Sequence, residues 1–246
     1  MRSVSKSVDE AVPADNAVSP NFKAKSDWRP PSLLLFREMF GRLHHKGKWV
    51  NVSDGGHIEN LGAFELLRRR CEVIIIGEGE ADANRGFPGL STLLRLAEID
   101  LGVKITFPAG SLGRIGLDVN KEGCKQTDRR HFAVAEISYP VGSIDEVEKG
   151  YLLYVRSSLV GDEDQIISSY RSTSKSFPHE STADQMFNEG QFEAYRRLGV
   201  KMMSESLAEI VYDDKHKTVL DGGHTIAYTE LHSKLKAFYE NTNLVK

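Results

Sequence analysis

Cysteine, excess basic charge and long apolar runs are all scarce in this chain. Two cysteines among 246 residues, Cys71 and Cys124, are too few for a secreted fold that depends on bridges, and both read as reduced and structural. Thirty-two basic residues stand against 35 acidic, a net charge of −3, which excludes a broadly basic nucleic-acid binder. The longest apolar runs, such as Leu33 to Phe36 and Val73 to Ile76, fall far short of the roughly 20 residues that cross a bilayer. Met1 to Glu10 alternates Ser, Val and charge and lacks the apolar stretch of a signal peptide. The expected location is therefore cytoplasmic or peripheral at a membrane. Motifs are missing too. His179-Glu180 is followed by Ser181, Thr182 and Ala183, so no H-E-x-x-H exists, and no G-x-S-x-G occurs anywhere. The nearest strings, Gly89-Leu90-Ser91-Thr92-Leu93 and Gly110-Ser111-Leu112-Gly113, lack the spacing of a nucleophile elbow.

What is present is enough for a core: 40% of the residues are hydrophobic and 27% charged. Residues 1–31 hold four of the eight prolines without apolar periodicity, and read as a flexible tail or severed linker. From Trp49 the pattern becomes strand, glycine turn (Ser53-Asp54-Gly55-Gly56-His57), then a helix from Asn60 through Leu61, Phe64 and Leu67. Cys71 to Ile76 reads as a buried parallel strand, apolar on both faces. Leu90, Leu93, Leu94 and Ala97 fall at helical spacing before a strand-like Val103 to Phe107, so an α/β sheet with helices on its faces is expected. The segments 131–139 and Tyr151 to Arg156 predict an antiparallel, β-rich appendage. Ser181 and Asp184 resemble a capping box that opens a helix, with Gly190 and Gly199 as its weak points, and Thr229 to Tyr239 predicts a last amphipathic helix. The domain reading is 1–31 tail, 32–204 α/β domain and 205–246 helical extension.

Asp54 is the leading candidate for chemistry. It sits where a strand ends in a glycine pair before a helix, and functional groups collect at such carboxyl ends. Gly55 and Gly56 let the chain turn sharply and let a partner approach the carboxylate. The spacing alone equally allows a carboxylate that bonds turn amides or caps the helix. Rival constellations are weaker. Asp54, His57, Glu59 and the nearby His44-His45 offer metal ligands without a metal-binding spacing. Glu78, Glu80, Asp82 and Asn84 alternate like a calcium loop but miss its central glycine and terminal glutamate, and read as a solvated acidic loop. Arg68, Arg69 and Arg70 suit either lipid phosphates or the negative end of a helix, the second being the simpler role.

The stretch Val52 to Arg70, VSDGGHIENLGAFELLRRR, continuing CEVIII, resembles the aspartate segment of bacterial patatin-like phospholipases. RLAEIDLGVKI (95–105), HFAVAEISYP (131–140), LLYVRSSLVGDE (152–163) and FPHESTADQMFNEGQFEAYRRLG (177–199) are similar, in the same order, to the downstream part of those proteins. The resemblance implies an incomplete three-layer α/β/α patatin-like domain with C-terminal helices. It further implies a lipid acyl hydrolase of the Ser–Asp dyad type, with Asp54 as the dyad aspartate and Gly55 and Gly56 shaping its turn. The carboxylate would take the serine proton without a histidine's help. The serine half and its glycine-rich oxyanion segment are absent here, so the chain reads as the C-terminal part of such a protein, inactive alone. Glu78 also departs from the aspartate usual in relatives after the buried strand. Expected partners are a lipid acyl ester in the complete protein and a serine-bearing upstream segment or partner chain, with a membrane surface as a further one. No cofactor, metal or nucleic acid is expected. The alternatives are a noncatalytic interaction module that keeps the scaffold, and a self-contained hydrolase using a serine such as Ser111 or Ser53.

Overall fold

A computed structural model describes residues 36–37, 39–42, 55–116, 129–141, 147–181, 183–212 and 226–244. The chain divides into two compact units, Met1–Ser53 and Asp54–Lys246. In the first, the Phe40 N–H donates to the Phe36 carbonyl (3.2 Å) in a single helical turn. The second unit carries the sheet and everything discussed below.

That unit opens with a short 3-10 turn, Gly55–His57, closed by the Ile58 and Glu59 N–H groups donating to the Gly55 carbonyl. Glu59 then prepares the first helix: its carboxylate accepts from the Leu61 N–H (2.7 Å) and the Phe64 N–H (3.1 Å). Helix α1 (Phe64–Arg68) buries Leu67 and stops where Arg70 takes a left-handed φ of 54°. Arg68 and Arg69 pair with Glu65 on this short helix. Strand β1 (Val73–Glu78) follows. Helix α2 (Pro88–Leu101) has Pro at its first position and Gly102 (φ 64°) at its end, and presents Leu90, Leu93 and Ala97 inward. Burying each of those leucines contributes about 2 kcal/mol.

Strand β2 (Lys104–Thr106), strand β3 (Phe132–Ser138) and strand β4 (Lys149–Arg156) complete a four-stranded mixed sheet in the order β1-β4-β3-β2. β4 pairs parallel with β1, bringing Glu78 opposite Arg156, and antiparallel with β3; β2 closes the other edge antiparallel to β3. The protein is thus α/β, with helices on both faces. Ile74, Ile76, Leu152 and Tyr154 pack with α1 and α2 on one side. Tyr151, Leu153 and Val155 pack on the other side with three further helices, α3 (Gln165–Thr173), α4 (Glu189–Tyr212) and α5 (Tyr228–Leu244).

Three expectations are corrected. β3 and β4 do pair antiparallel, yet they are the two central strands and not an appendage, because alternate residues of both are apolar and can face a helical layer on either side. β1 is parallel, as its β-branched run suggested, but among the described residues it lies at the sheet edge, with Ile75 44% exposed. The Ser181–Asp184 pair makes a local turn only, with the Ala183 N–H donating to Ser181 Oγ. Helix α4 begins later, where Asn188 Oδ1 accepts from the Gln191 N–H (2.8 Å), and it runs unbroken through Gly190, Gly199 and residue 204. α5 places Leu235 and Tyr239 in the same core as β3 and β4. No helix among the described residues is long and apolar enough to cross a membrane.

Candidate functional site

Parallel pairing puts the carboxyl ends of β1 and β4 side by side, the usual place for ligands in open α/β sheets. The last residue of each strand is charged and buried: Glu78 is 4% exposed and Arg156 2%. Arg156 Nη2 donates to Asp82 Oδ2 and to the Asp82 carbonyl, both at 2.8 Å, while its Nε stands 3.8 Å from the nearer Glu78 oxygen. Among the described residues, the Glu78 oxygens and Arg156 Nε have no hydrogen-bond partner. The Phe87 ring covers the guanidinium at 4.4 Å.

The two carboxylates around this arginine titrate in opposite directions. Burial lifts Glu78 to about 7, with Arg156 opposing and Glu80 and Asp82 adding to the rise. Burial would also raise Asp82, but the amides of Gly86 and Phe87 and the Arg156 guanidinium overrule it and hold Asp82 below its ordinary value. Asp82 is therefore the constant counter-charge of Arg156, and Glu78 is a carboxyl poised near neutrality. The loop that carries Asp82 is strained: Arg85 and Phe87 both adopt left-handed φ angles, 56° and 52°, which nonglycine residues avoid. This replaces the solvated acidic loop expected at Glu78 to Asn84. Glu78 and Asp82 are built into the interior, and Glu80 accepts from the Gly89 N–H (3.0 Å).

The segment after the glycine pair reaches the same place. Asn60 Nδ2 donates to Glu80 Oε1 at 2.7 Å, two residues past the end of β1. Gly55 and Gly56 are exposed and lie in the 3-10 turn; Asp54 itself, with His44 and His45, falls outside the described residues. His57 is exposed in that turn and Glu59 is committed to the start of α1. Among the described residues no three His, Cys, Asp or Glu side chains gather as metal ligands would.

Next to Arg156 a cavity of about 160 Å³ opens between the 83–85 loop, the end of β4 and the turn after α3. Its wall includes His179, whose Nδ1 donates to the Glu80 carbonyl (3.3 Å) and whose pKa burial lowers, so the ring is neutral around pH 7. Ser158 lies on the wall as well, and its Oγ is 3.1 Å from His131 Nδ1, with Glu205 Oε2 3.4 Å from the other ring nitrogen. Serine, imidazole and carboxylate in line invite a nucleophile reading. The hydrogen bonds speak for a lock instead: Ser158 donates its one proton to the Arg156 carbonyl (3.0 Å), so Nδ1 must donate to Oγ and cannot take that proton.

No protein-family model, no curated protein and no solved structure matches this chain.

Proposed function

We propose that this chain is the aspartate-bearing part of a patatin-like lipid acyl hydrolase, supplying Asp54 to a dyad whose serine lies on another segment or chain. The reading rests on the ordered likeness of five stretches between Val52 and Gly199 to that family. The observation that carries it in three dimensions is the Asn60–Glu80 hydrogen bond. It ties the segment just after Asp54-Gly55-Gly56 to the carboxyl end of β1, beside the strained turn at Arg85 and Phe87 and the buried charges of Glu78, Asp82 and Arg156. A carboxylate presented there can accept a serine proton from a neighbouring segment, and a desolvated site would raise its basicity. Acyl transfer to that serine and hydrolysis by water complete the reaction without a cofactor.

The edge of β1 favours the same reading. Val-Ile-Ile-Ile is apolar on both faces, pairs with β4 on one side and, among the described residues, with no strand on the other. A sheet continued by further strands would cover Ile75. The test is complementation: the chain is coexpressed with a serine-bearing patatin-like segment encoded upstream of it, and the pair is treated with a fluorophosphonate. Labelling of that serine in the pair, lost in Asp54→Ala, is the expected result. Equal labelling with Asp54→Ala, or labelling of the upstream segment alone, contradicts the proposal.

A further inference from the structure

We infer that Glu80 is the positioning residue for residues 55–60, the segment that follows Asp54; its catalytic consequence rests on the dyad reading above. Glu80 stands two residues past the end of β1 and bonds to three parts of the fold that are distant in sequence. Its Oε1 accepts from Asn60 Nδ2 (2.7 Å) and its Oε2 from the Gly89 N–H (3.0 Å). Its backbone carbonyl accepts from His179 Nδ1 (3.3 Å). Neither neighbouring carboxylate takes this part. Asp82 is engaged by Arg156 and by the Gly86 and Phe87 amides, and the Glu78 oxygens have no hydrogen-bond partner among the described residues.

The carboxylate is held in place independently of Asn60. Helix α2 has no side-chain cap at its start, where Phe87 takes a left-handed conformation without a capping bond. Glu80 supplies one from outside the helix, placing negative charge on a first-turn amide at the positive end of the dipole. Gly89 makes room for it, since a Cβ there would lie 2.6 Å from Glu80 Oε2. The His179 bond holds the Glu80 backbone from the turn after α3. With one oxygen anchored on α2, the other stands at a set place, and a charge-assisted bond from Asn60 latches the segment to it.

The segment that is latched is itself tied together. The Ile58 and Glu59 N–H groups close the 3-10 turn on the Gly55 carbonyl, and the Glu59 carboxylate accepts from the Leu61 and Phe64 N–H groups at the start of α1. These bonds join residues 55–64 into one hydrogen-bonded piece, and the Asn60 latch sets its place against the end of β1. A catalytic base owes its rate to geometry, and a misplacement of about 1 Å can cost roughly 100-fold. A side chain that fixes the segment next to Asp54 therefore acts on catalysis without touching a substrate.

The test exchanges the two functional groups. Asn60→Asp sets two carboxylates against each other and opens the latch. In the double variant Asn60→Asp/Glu80→Gln the new amide donates to the new carboxylate, while its oxygen still accepts from the Gly89 N–H. Gly89→Ala opens the latch a second way, by displacing the Glu80 carboxylate with both partners intact. Quench-flow hydrogen exchange on the folded full chain at pH 7, read by mass spectrometry, follows a peptide over 55–62 and one over β3 as the folding reference. Asn60→Asp and Gly89→Ala should each speed exchange over 55–62 about threefold to tenfold, the range of one hydrogen bond, with β3 unchanged. The double variant should return to within about twofold of the wild type, a coupling that a cap serving α2 alone would not give. In the coexpressed pair, Asn60→Asp should slow fluorophosphonate labelling of the upstream serine about tenfold or more, with recovery in the double variant. Exchange as expected with no labelling of any pair, the wild type included, supports the latch and contradicts the dyad reading alone. Exchange over 55–62 unmoved by both single variants, or no recovery in the double variant, overturns the inference. Labelling of the pair unmoved by Asn60→Asp overturns its catalytic part.

Discussion

The two ends of the β1–β4 pair treat polar groups in contrasting ways. At the end where both strands begin, every prominent group is partnered. The Tyr139 hydroxyl donates to the Cys71 carbonyl (2.6 Å), and Arg70 donates to the Val147 and Pro140 carbonyls while lying over the Tyr139 ring. Gly150 there packs so closely that a Cβ would sit 2.9 Å from the Cys71 and Glu72 carbonyl oxygens. At the end where both strands finish, Glu78, Tyr154 and Arg156 keep buried polar atoms without hydrogen-bond partners among the described residues, and Arg85 and Phe87 in the loop above them take left-handed φ angles. Buried unpaired groups are costly and uncommon, so a fold tolerates them where they serve something other than stability. One end is built for stability and the other holds the candidate site.

Removing Arg156 should give the largest effect. Arg156→Met leaves the buried Asp82 carboxylate without its cation, and urea denaturation at pH 7.5 should show a loss of about 3–5 kcal/mol. A loss below about 1 kcal/mol would mean that the charges at this end are solvated after all.

Glu78→Gln should act through pH. The folded-state value of about 7 lies above the ordinary 4.5, so the neutral carboxyl favours the folded state fully below pH 4.5, and this contribution fades as pH rises to about 7. The wild type should lose stability across that window relative to Glu78→Gln, by roughly 3 kcal/mol at most. Parallel stability curves for the two proteins between pH 4.5 and 7.5 would contradict the buried, desolvated carboxyl.

At the opposite end, Gly150→Ala should cost about 1–3 kcal/mol, because backbone carbonyls cannot move aside as a flexible side chain can. The smallest effect on stability belongs to Ile75→Lys on β1, whose outer side no strand covers among the described residues, within about 1 kcal/mol, while sedimentation velocity should show less self-association. Unchanged association would mean that this edge is not the exposed surface that drives it.

Hydrophobic periodicity carried most of the architecture. Leu90, Leu93 and Ala97 announced α2, the β-branched run announced β1, and Leu235 announced α5, because each segment faces one apolar layer and so repeats at its own period. What local pattern cannot express is sheet order, and so β3 and β4 looked like an addition although they form its centre. Asn188 displaced Ser181 as the helix cap because tertiary packing of Phe177 and Tyr195 fixes the chain between them. Motif likeness singled out Asp54, Gly55 and Gly56, of which Asp54 lies outside the described residues. Arg156 and Asp82 were not visible, since they are partners distant in sequence. One signal was there: an arginine ending the otherwise apolar Tyr151 to Val155 strand, where a charge must find a buried partner.

The most direct measurement is fluorophosphonate labelling of the purified, folded chain with the modified residue mapped by mass spectrometry, Asp54→Ala and Ser158→Ala alongside. If the nucleophile lies on another segment, no serine of this chain is labelled. A single labelled serine, above all Ser158 in its contact with His131, would contradict the half-site and make this chain a hydrolase in its own right.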